Sequence, residues 1–299
     1  MFLPTLRQLQ FFAALARRRS FSKAAEDCLV SQSTLSSAVK ELESLLAAEL
    51  VDRSTRSFAL TPAGEETARR AGPILAMAED LVRAVGARRP LEGPFALGVI
   101  PTIAPFFLPG ASALLRKDYP KLQLFLREDL TENLVERLAA GLLDAALLAF
   151  PYDAPQLEHV EIGEDRFWLA APRAHRLAAR KTVSLADLEG ERMLLLEDGH
   201  CLREHAIDAC RLRSKEAAAG FGATSLFTLV QMAEAGLGPT LLPEMAVRSG
   251  LARASDVALI PFAAPAPSRK IGLAWRRGSG RREEAEAMAK VFKAALAAA

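Results

Sequence analysis

The spacing of apolar residues changes character along the chain. Helical spacing dominates its first part, predicting three short helices and a β-hairpin over 6–60 and a long amphipathic helix over 62–87. Clustered Pro and Gly over 88–94 then mark a linker. From Phe95 onward, short apolar runs alternate with helical stretches, which predicts an α/β domain with a mostly parallel sheet. The predicted strands are 95–100, 122–127, 145–149, 167–171, 193–196, 257–261 and 271–275.

Residues 20–39 have the pattern of two helices joined by a tight turn. Ser22 is a candidate N-cap for the first helix and Ser31 for the second, with Leu29 and Val30 in the turn between them. At about 100° per residue, the apolar side chains of the second helix fall within an arc of roughly 60°: Leu35, Val39, Leu42 and Leu46. Its polar side chains occupy a separate arc of roughly 140°: Gln32, Ser33, Ser36, Ser37 and Lys40.

Short polar side chains on an exposed helix suit the DNA major groove, because Gln pairs with adenine and Ser with several bases. A solvated helix face shows the same pattern, but the capped helix and turn before it favour a helix-turn-helix. The tip of the predicted hairpin carries two arginines, as expected of a wing laid along phosphates. The candidate DNA-binding residues are Gln32, Ser33, Thr34, Ser36, Ser37, Lys40, Arg53 and Arg56.

Two sequence motifs carry a family resemblance over residues 6–88. They are S-F-S-K-A-A…V-S-Q-S-T-L-S…L-E…L in the helix-turn-helix and R-S…L-T-P-A-G in the wing, where Thr61 is expected to cap the long helix and Pro62 to begin it. Both resemble the DNA-binding module of LysR-type transcriptional regulators. Ser33 stands where many members carry Pro.

The resemblance implies an N-terminal winged helix-turn-helix with a long linker helix and a C-terminal α/β two-lobed effector domain like a periplasmic binding protein. The DNA-binding domain would span 1–61, the dimerisation linker helix and hinge 62–92, and the effector domain 93–299. Lobe I would comprise about 93–164 and 269–299, and lobe II about 165–268.

A heptad-like seam is predicted on the long helix: Ala71, Leu75, Ala78, Val82 and Val85. The alternative is that this stripe docks on the chain's own core. The resemblance favours pairing of two copies, because paired readers match two half-sites on one duplex. The expected partners are double-stranded DNA, a second copy of the chain in a homodimer or homotetramer, and RNA polymerase.

Residues 195–210 carry the candidate chemistry. Cys201 follows a predicted strand and a glycine turn near a helix start, with His200 and Arg203 beside it. Helix amides and cationic neighbours lower the pKa of a thiol, and the thiolate is the reactive species. Such a cysteine can attack peroxide, become a sulfenic acid and condense with a second thiol, for which Cys210 is the natural partner.

Three alternatives stay open for this segment. A buried inert pair is a common fate of cysteines. A metal site built from His200, Cys201, His205 and Cys210 lacks the usual zinc-ligand spacing. A thiol peroxidase enzyme would have no use for the N-terminal DNA reader. Cys28, on the short helix before the turn, is expected to serve packing.

The sequence motif E-D-G-H-C-L-R over 197–203, with Cys210 nine residues after Cys201, resembles that of the hydrogen-peroxide-sensing members of the same family. This resemblance implies a peroxidatic Cys201 and a resolving Cys210 that switch the regulator through an intramolecular disulfide. It also implies that Thr102, Thr131, His200 and Arg269 surround the peroxide, with His200 and Arg203 activating the thiolate. A small organic co-inducer between the lobes is the alternative signal.

A helix over 201–210 would hold the two sulfur atoms too far apart for a bond. We therefore predict that this segment is helical in the reduced protein and unwinds on oxidation.

Composition narrows the class of protein. With 299 residues and 51% hydrophobic residues, the chain is expected to fold as more than one globular domain. No apolar run approaches the ~18 residues of a membrane span, and the first residues lack a signal-peptide pattern, so a cytoplasmic location is expected. A net charge of +2 requires that any DNA-binding charge be local. We expect neither enzymatic activity, nor a cofactor, nor a metal.

Overall fold

The computed structural model describes residues 2–52, 58–85, 90–212 and 222–298. The chain divides into two compact units, one of residues 1–87 with 137–142 and the other of residues 88–136 with 143–299. Within the described residues, no helix is long and apolar enough to cross a membrane.

The N-terminal unit contains the three predicted helices, the hairpin and the long helix. Its elements are α1 (Leu6–Arg18), α2 (Phe21–Asp27), α3 (Gln32–Leu46), β1 (Val51–Asp52), β2 (Ala59–Leu60) and α4 (Pro62–Val85). β1 and β2 pair in antiparallel fashion. The predicted wing arginines, Arg53 and Arg56, lie outside the described residues.

Local hydrogen bonds set the starts of these helices. Ser31 caps α3 by accepting from the Thr34 amide at 3.1 Å, as predicted. Thr61 caps α4 in the same way through the Gly64 amide at 3.0 Å. The prediction for α2 is wrong, because extended Ser20 is its N-cap and Ser22 already lies inside the helix.

The predicted apolar face of α3 is buried at three of its four positions. Leu35, Val39 and Leu42 are fully enclosed, whereas Leu46, the last residue of the helix, remains 41% exposed. The interior of the helix therefore meets the core of this unit, and its final turn extends beyond that core.

The predicted seam on α4 is divided between two environments. Ala71 is buried and Leu75 partly buried against the core of the N-terminal unit, so the docking alternative holds for these two residues. The exposed apolar side chains of the helix form a stripe shifted from the prediction: Ile74, Met77, Leu81, Val82 and Val85. We call these five residues the α4 stripe.

The C-terminal unit begins with alternating strands and helices, as predicted. Its elements are β3 (Gly93–Val99), α5 (Ala104–Asp118), β4 (Leu122–Glu128), α6 (Thr131–Ala139), β5 (Ala145–Phe150), β6 (Leu157–Pro172), α7 (Cys201–Cys210), α8 (Leu226–Glu234), β7 (Thr240–Pro243), α9 (Glu244–Arg248), β8 (Val257–Pro261), β9 (Ser268–Arg276) and α10 (Arg282–Ala298).

Strands β6 and β9 carry the chain from one lobe to the other and back, and we call them the shared strands. The strand order is β4-β3-β5-β9-β6-β7, with β8 also paired to β6. The 16-residue β6 pairs with β9 along its first part and with β7 and β8 along its second. A strand shared in this way produces two connected α/β lobes, and the two-lobed prediction is confirmed.

The prediction of a mostly parallel sheet is wrong. Among the described strands, β3 pairs in parallel with β4 and β5, whereas β5–β9 and all the pairings of β6 are antiparallel. β9 runs antiparallel to both of its neighbours, β5 and β6. The predicted strand 193–196 is also wrong: in that stretch Leu194 and Leu196 form single bridges, to Thr240 and Ala223.

Candidate functional site

Helix α7 begins at Cys201 and ends at Cys210, which are the bounds predicted for the helix between the cysteines. Gly199 precedes it with a φ of +94°, a conformation that glycine adopts without strain. His200 is the N-cap residue, although its side chain makes no capping bond. The three cysteines are free thiols, and Cys210 is buried. The two thiols therefore occupy opposite ends of one helix.

Arg269, on β9, is buried and organises a polar network. Its Nη1 donates to the Thr102 hydroxyl at 2.8 Å, and its Nη2 donates to the Thr102 carbonyl at 3.0 Å. Nε and Nη2 also donate to Asp165 Oδ2 at 3.1 and 2.9 Å. The other carboxylate oxygen of Asp165 accepts from the Met245 amide at 3.1 Å. The network thus links the end of β3, both shared strands and α9.

The charge of Arg269 acts on the Cys201 thiol. Burial raises the pKa of Cys201, while the Thr131 hydroxyl, Arg269 and the first amides of α7 favour the thiolate. Because burial is the largest effect, Cys201 rests as a thiol near neutral pH.

Arg203 and His200, which were predicted to activate the thiolate, have different surroundings. Arg203 is engaged by the Asp198 carboxylate at 2.9 Å and donates to the Leu196 carbonyl at 3.2 Å. Burial lowers the pKa of His200, so its imidazole is neutral near pH 7. The positive charge that favours the thiolate comes from Arg269, and an activating effect of Arg203 or His200 stays a prediction.

A second histidine lies one helical turn after Cys201. His205 is buried, and its Nε2 lies 3.0 Å from the Pro151 carbonyl. Its Nδ1 is buried without a hydrogen-bond partner among the described residues. Burial lowers the pKa of this imidazole, and the charge of Arg269 lowers it further. Arg269 therefore acts on both Cys201 and His205.

Cys210 is in a different environment from Cys201. Burial raises the pKa of its thiol to about 12. It belongs to the apolar core of its lobe, together with Leu202 and Ala206 of the same helix. A thiol in such surroundings is protonated and unreactive.

The predicted DNA-reading face lies on the outside of α3. Gln32, Ser33, Thr34, Ser37 and Lys40 are exposed, and Ser36 is half-buried. Two of these side chains are held by the cap, since the Ser31 hydroxyl lies 2.8 Å from those of both Ser33 and Thr34. Gln32 Oε1 accepts from the Ser22 hydroxyl at 2.9 Å. That bond fixes the amide of Gln32 while its NH₂ group keeps both donors.

A cavity of about 250 Å³ lies beside the Arg269 network, and Thr102 forms part of its wall. Its other lining residues come from both lobes: Pro101, Pro105, Phe106, Glu128, Thr224, Ser225, Leu226, Phe227 and Leu251. The lining is largely apolar, with a few hydroxyl groups and the Glu128 carboxylate, so the cavity has the composition of a small-molecule site although it is smaller than most.

Sequence reasoning missed Asp165 as a functional residue and considered His205 only as a metal ligand. A signal for Asp165 was available, because strand alternation places it on the same face as buried Phe167 and Leu169. A carboxylate on the buried face of a strand needs a buried cation as its partner. Among the described residues, no group of three or more His, Cys, Asp and Glu side chains is placed to hold a metal ion.

The fold and the site together define a class of protein: a transcription regulator with a DNA-binding helix-turn-helix and a separate two-lobed effector domain. Family models agree with both parts. Residues 6–65 match the bacterial regulatory helix-turn-helix of the lysR family, and residues 88–297 match the LysR substrate binding domain. The chain belongs to the LysR family of transcription regulators.

Individual relatives span nearly the whole chain. It is 39% identical to the HTH-type transcriptional regulator EstR of Acinetobacter baylyi, covering 97% of each chain. It is 41% identical to a probable hydrogen peroxide-inducible genes activator of Streptomyces viridosporus, covering 98% of this chain and 95% of that one. A full-length OxyR variant from Pseudomonas aeruginosa superposes with a TM-score of 0.81 at 31% identity, covering 97% of this chain and 98% of that one.

Proposed function

We propose that this regulator senses hydrogen peroxide through Cys201 and transmits the signal to the DNA-binding helices. The observation that carries the proposal is the position of Cys201 at the start of α7, where the Thr131 hydroxyl and Arg269 favour its thiolate. Peroxide would bind among Thr102, Thr131, His200 and Arg269. The Streptomyces relative, whose name describes peroxide-inducible activation, supports this signal.

The proposed switch is an intramolecular disulfide between Cys201 and Cys210. Nine residues of helix separate them, so their Cα atoms stand roughly 13.5 Å apart along the axis and the side chains face about 180° apart. A disulfide tolerates only about 4.4–6.8 Å between Cα atoms. Oxidation must therefore unwind about two turns of α7, and the unwound segment would repack the lobe.

The division of labour follows the predicted domains. Residues 1–61 would read DNA through α3 and the wing, residues 62–92 would pair two copies, and residues 93–299 would sense peroxide. Lobe I would comprise about 93–164 and 269–299, and lobe II about 165–268. A homodimer or homotetramer would present several readers to one duplex and contact RNA polymerase beside it.

A footprint of the regulator on its target promoter, with and without peroxide, tests the proposal. The footprint of the unaltered protein should change with peroxide and revert with a thiol reductant. Cys201→Ser should keep the reduced footprint and lose the change, because a serine hydroxyl is a poor nucleophile toward peroxide. The matched control, Cys28→Ser, should switch normally. A Cys201→Ser protein that still switches would overturn the proposal.

The cavity beside Thr102 favours one other function, regulation by a small organic co-inducer. Similarity to EstR, whose name mentions no peroxide, is compatible with it. A co-inducer would change the footprint in the presence of reductant and without any cysteine. A triple variant with Cys28, Cys201 and Cys210 replaced by Ser therefore separates the two functions.

A further inference from the structure

Cys201 is protonated at rest, and the groups that favour its thiolate include no acceptor for its proton in the reaction with peroxide. Burial raises the pKa of this thiol, so the proton must leave as the sulfur attacks peroxide. Thr131 and Arg269 can stabilise the negative charge but cannot take a proton, since one is a hydroxyl and the other a guanidinium that stays charged. A neutral base near the sulfur would let the thiol react without ionising first.

We propose that Nδ1 of His205 accepts the thiol proton of Cys201 when the sulfur attacks hydrogen peroxide. This inference rests on the proposed peroxide-sensing function and adds to it a proton acceptor on the same helix. Residues four apart on a helix lie on one face, with their Cβ atoms about 5–6 Å apart. Cys201 and His205 are such a pair on α7.

The tautomer of His205 follows from its hydrogen bond. A carbonyl oxygen can only accept, so the Nε2 that lies 3.0 Å from the Pro151 carbonyl must carry the proton. Nδ1 then has a free lone pair. That atom is buried without a hydrogen-bond partner among the described residues. A buried lone pair without a partner is free to take up a proton.

The charges around His205 keep its imidazole neutral at rest but still allow it to take up a proton. Arg269, from β9, disfavours the imidazolium, whereas Glu204 and Asp208, on α7 itself, favour it. Asp165 in turn neutralises part of the charge of Arg269. The imidazole is therefore neutral at rest and can hold an extra proton briefly.

The step balances in atoms and electrons. The Cys201 proton moves to His205 Nδ1, and the sulfur forms a bond to one peroxide oxygen. The O–O bond breaks, and the departing hydroxide takes the proton back from His205 and becomes water. Sulfur gives up two electrons, peroxide receives them, and Cys201 is left as a sulfenic acid.

The pH dependence of oxidation tests this proposal in a Cys28→Ser, Cys210→Ser background, in which the reaction stops at the sulfenic acid. The second-order rate constant with hydrogen peroxide is measured by trapping with dimedone and mass spectrometry from pH 6.5 to 8.5. With a neutral His205 as base, the rate constant should be flat over this range. A tenfold rise per pH unit in this parent would overturn the proposal, because the thiol would then ionise without help.

His205→Gln is the direct variant, because its amide can still donate to the Pro151 carbonyl but cannot take up a proton. Its rate constant should fall about a hundredfold at pH 7 and rise steeply toward pH 8.5. His175→Gln removes a histidine whose imidazole binds Glu191 at 3.0 Å, and it should behave as the parent. A His205→Gln protein with the parental rate and profile would exclude the base. If this variant does not fold, a parental rate constant that rises tenfold per pH unit still overturns the proposal.

A second reagent separates failure of this inference from failure of the sensing function. Methyl methanethiosulfonate, a small neutral thiol reagent, also requires loss of the Cys201 proton. If the parent ignores peroxide, the sensing function fails. His205 is still supported in that case if His205→Gln slows this reagent about a hundredfold at pH 7. Equal rates for parent and variant refute it.

Discussion

The Arg269–Asp165 pair is the most demanding arrangement in the effector unit at the scale of single residues. The guanidinium side chain is fully buried and the carboxylate nearly so. Burial raises the pKa of Asp165, and the charge of Arg269 and the Met245 amide oppose that rise. Two buried charges are tolerated only because each satisfies the other and the remaining donors are bound.

Asp165→Asn should destabilise the effector unit by about 3–5 kcal/mol, because it leaves the Arg269 charge buried and uncompensated. Both tryptophans of the chain, Trp168 and Trp275, lie on the shared strands, so their fluorescence reports this unit during urea unfolding. The control is Glu161→Gln, which breaks the exposed pair with Lys270 between the same two strands. The control should cost less than about 1 kcal/mol. Similar losses for both variants would contradict the role of burial.

Gln32→Ala should weaken binding to the specific promoter by about 1–3 kcal/mol, because it removes a candidate base contact. Lys40→Ala should instead weaken binding to specific and random duplexes alike and reduce the slope of affinity against salt by about one unit. Fluorescence anisotropy on both duplexes at several salt concentrations measures these effects. An equal loss on both duplexes for Gln32→Ala would remove Gln32 from the base-reading set.

At the scale of elements, helix α7 has the sharpest expected behaviour. If the disulfide forms, amides of residues 202–211 should lose protection from hydrogen exchange, because the helix must open. Helix α8, which contributes to the same core, serves as internal reference and should keep its protection. Peroxide-treated Cys210→Ser should also keep its protection in α7. Unchanged exchange of α7 in the disulfide-bonded form would rule out unwinding.

Elements with local signals were predictable from the sequence, and elements without them were not. Ser31, Thr61 and the bounds of α7 follow from caps and turns within a few residues. The first half of β6 was missed because a register shift between Glu161 and Gly163 breaks the strand alternation. The antiparallel pairing of β6 and β9 was missed because alternation within a strand does not encode its partner's direction.

The candidate site shows the same limit. Arg269 was reached only through family resemblance, and the resemblance also decided for Thr102 and Thr131, because a threonine at the start of a helix is usually an ordinary cap. Asp165 lies more than 100 positions from Arg269, so no spacing rule connects them. The proposed role of His205 as a proton acceptor depends on which of its two ring nitrogens is hydrogen-bonded. Only the fold determines that.

At the scale of the whole molecule, self-association depends on apolar surface that one chain leaves uncovered. In the α4 stripe, Met77 is 64% exposed, Leu81 66% and Val82 73%. Such a row on one helix is typical of a pairing surface. Members of the LysR family oligomerise, and the stripe is where we expect two chains to meet.

Leu81→Glu should raise the dissociation constant for self-association at least about tenfold, because it places a charge in that apolar contact. Sedimentation velocity over a dilution series measures the change. Leu29→Glu is the control, since Leu29 is 93% exposed in the turn of the helix-turn-helix, away from α4. An unchanged association for Leu81→Glu would place the pairing surface elsewhere.

The position of β9 between β5 and β6 has a consequence for how the protein is made. β5 is synthesised roughly 6–24 s before β9 leaves the ribosome, at about 5–20 residues per second. During that interval one edge of β5, a strand buried along most of its length, has no neighbour. Helices α1–α3 complete their mutual contacts within the first 46 residues. The helix-turn-helix of a nascent chain can therefore fold well before the effector sheet is complete, and in the meantime the open edge of β5 is exposed to pairing with other chains.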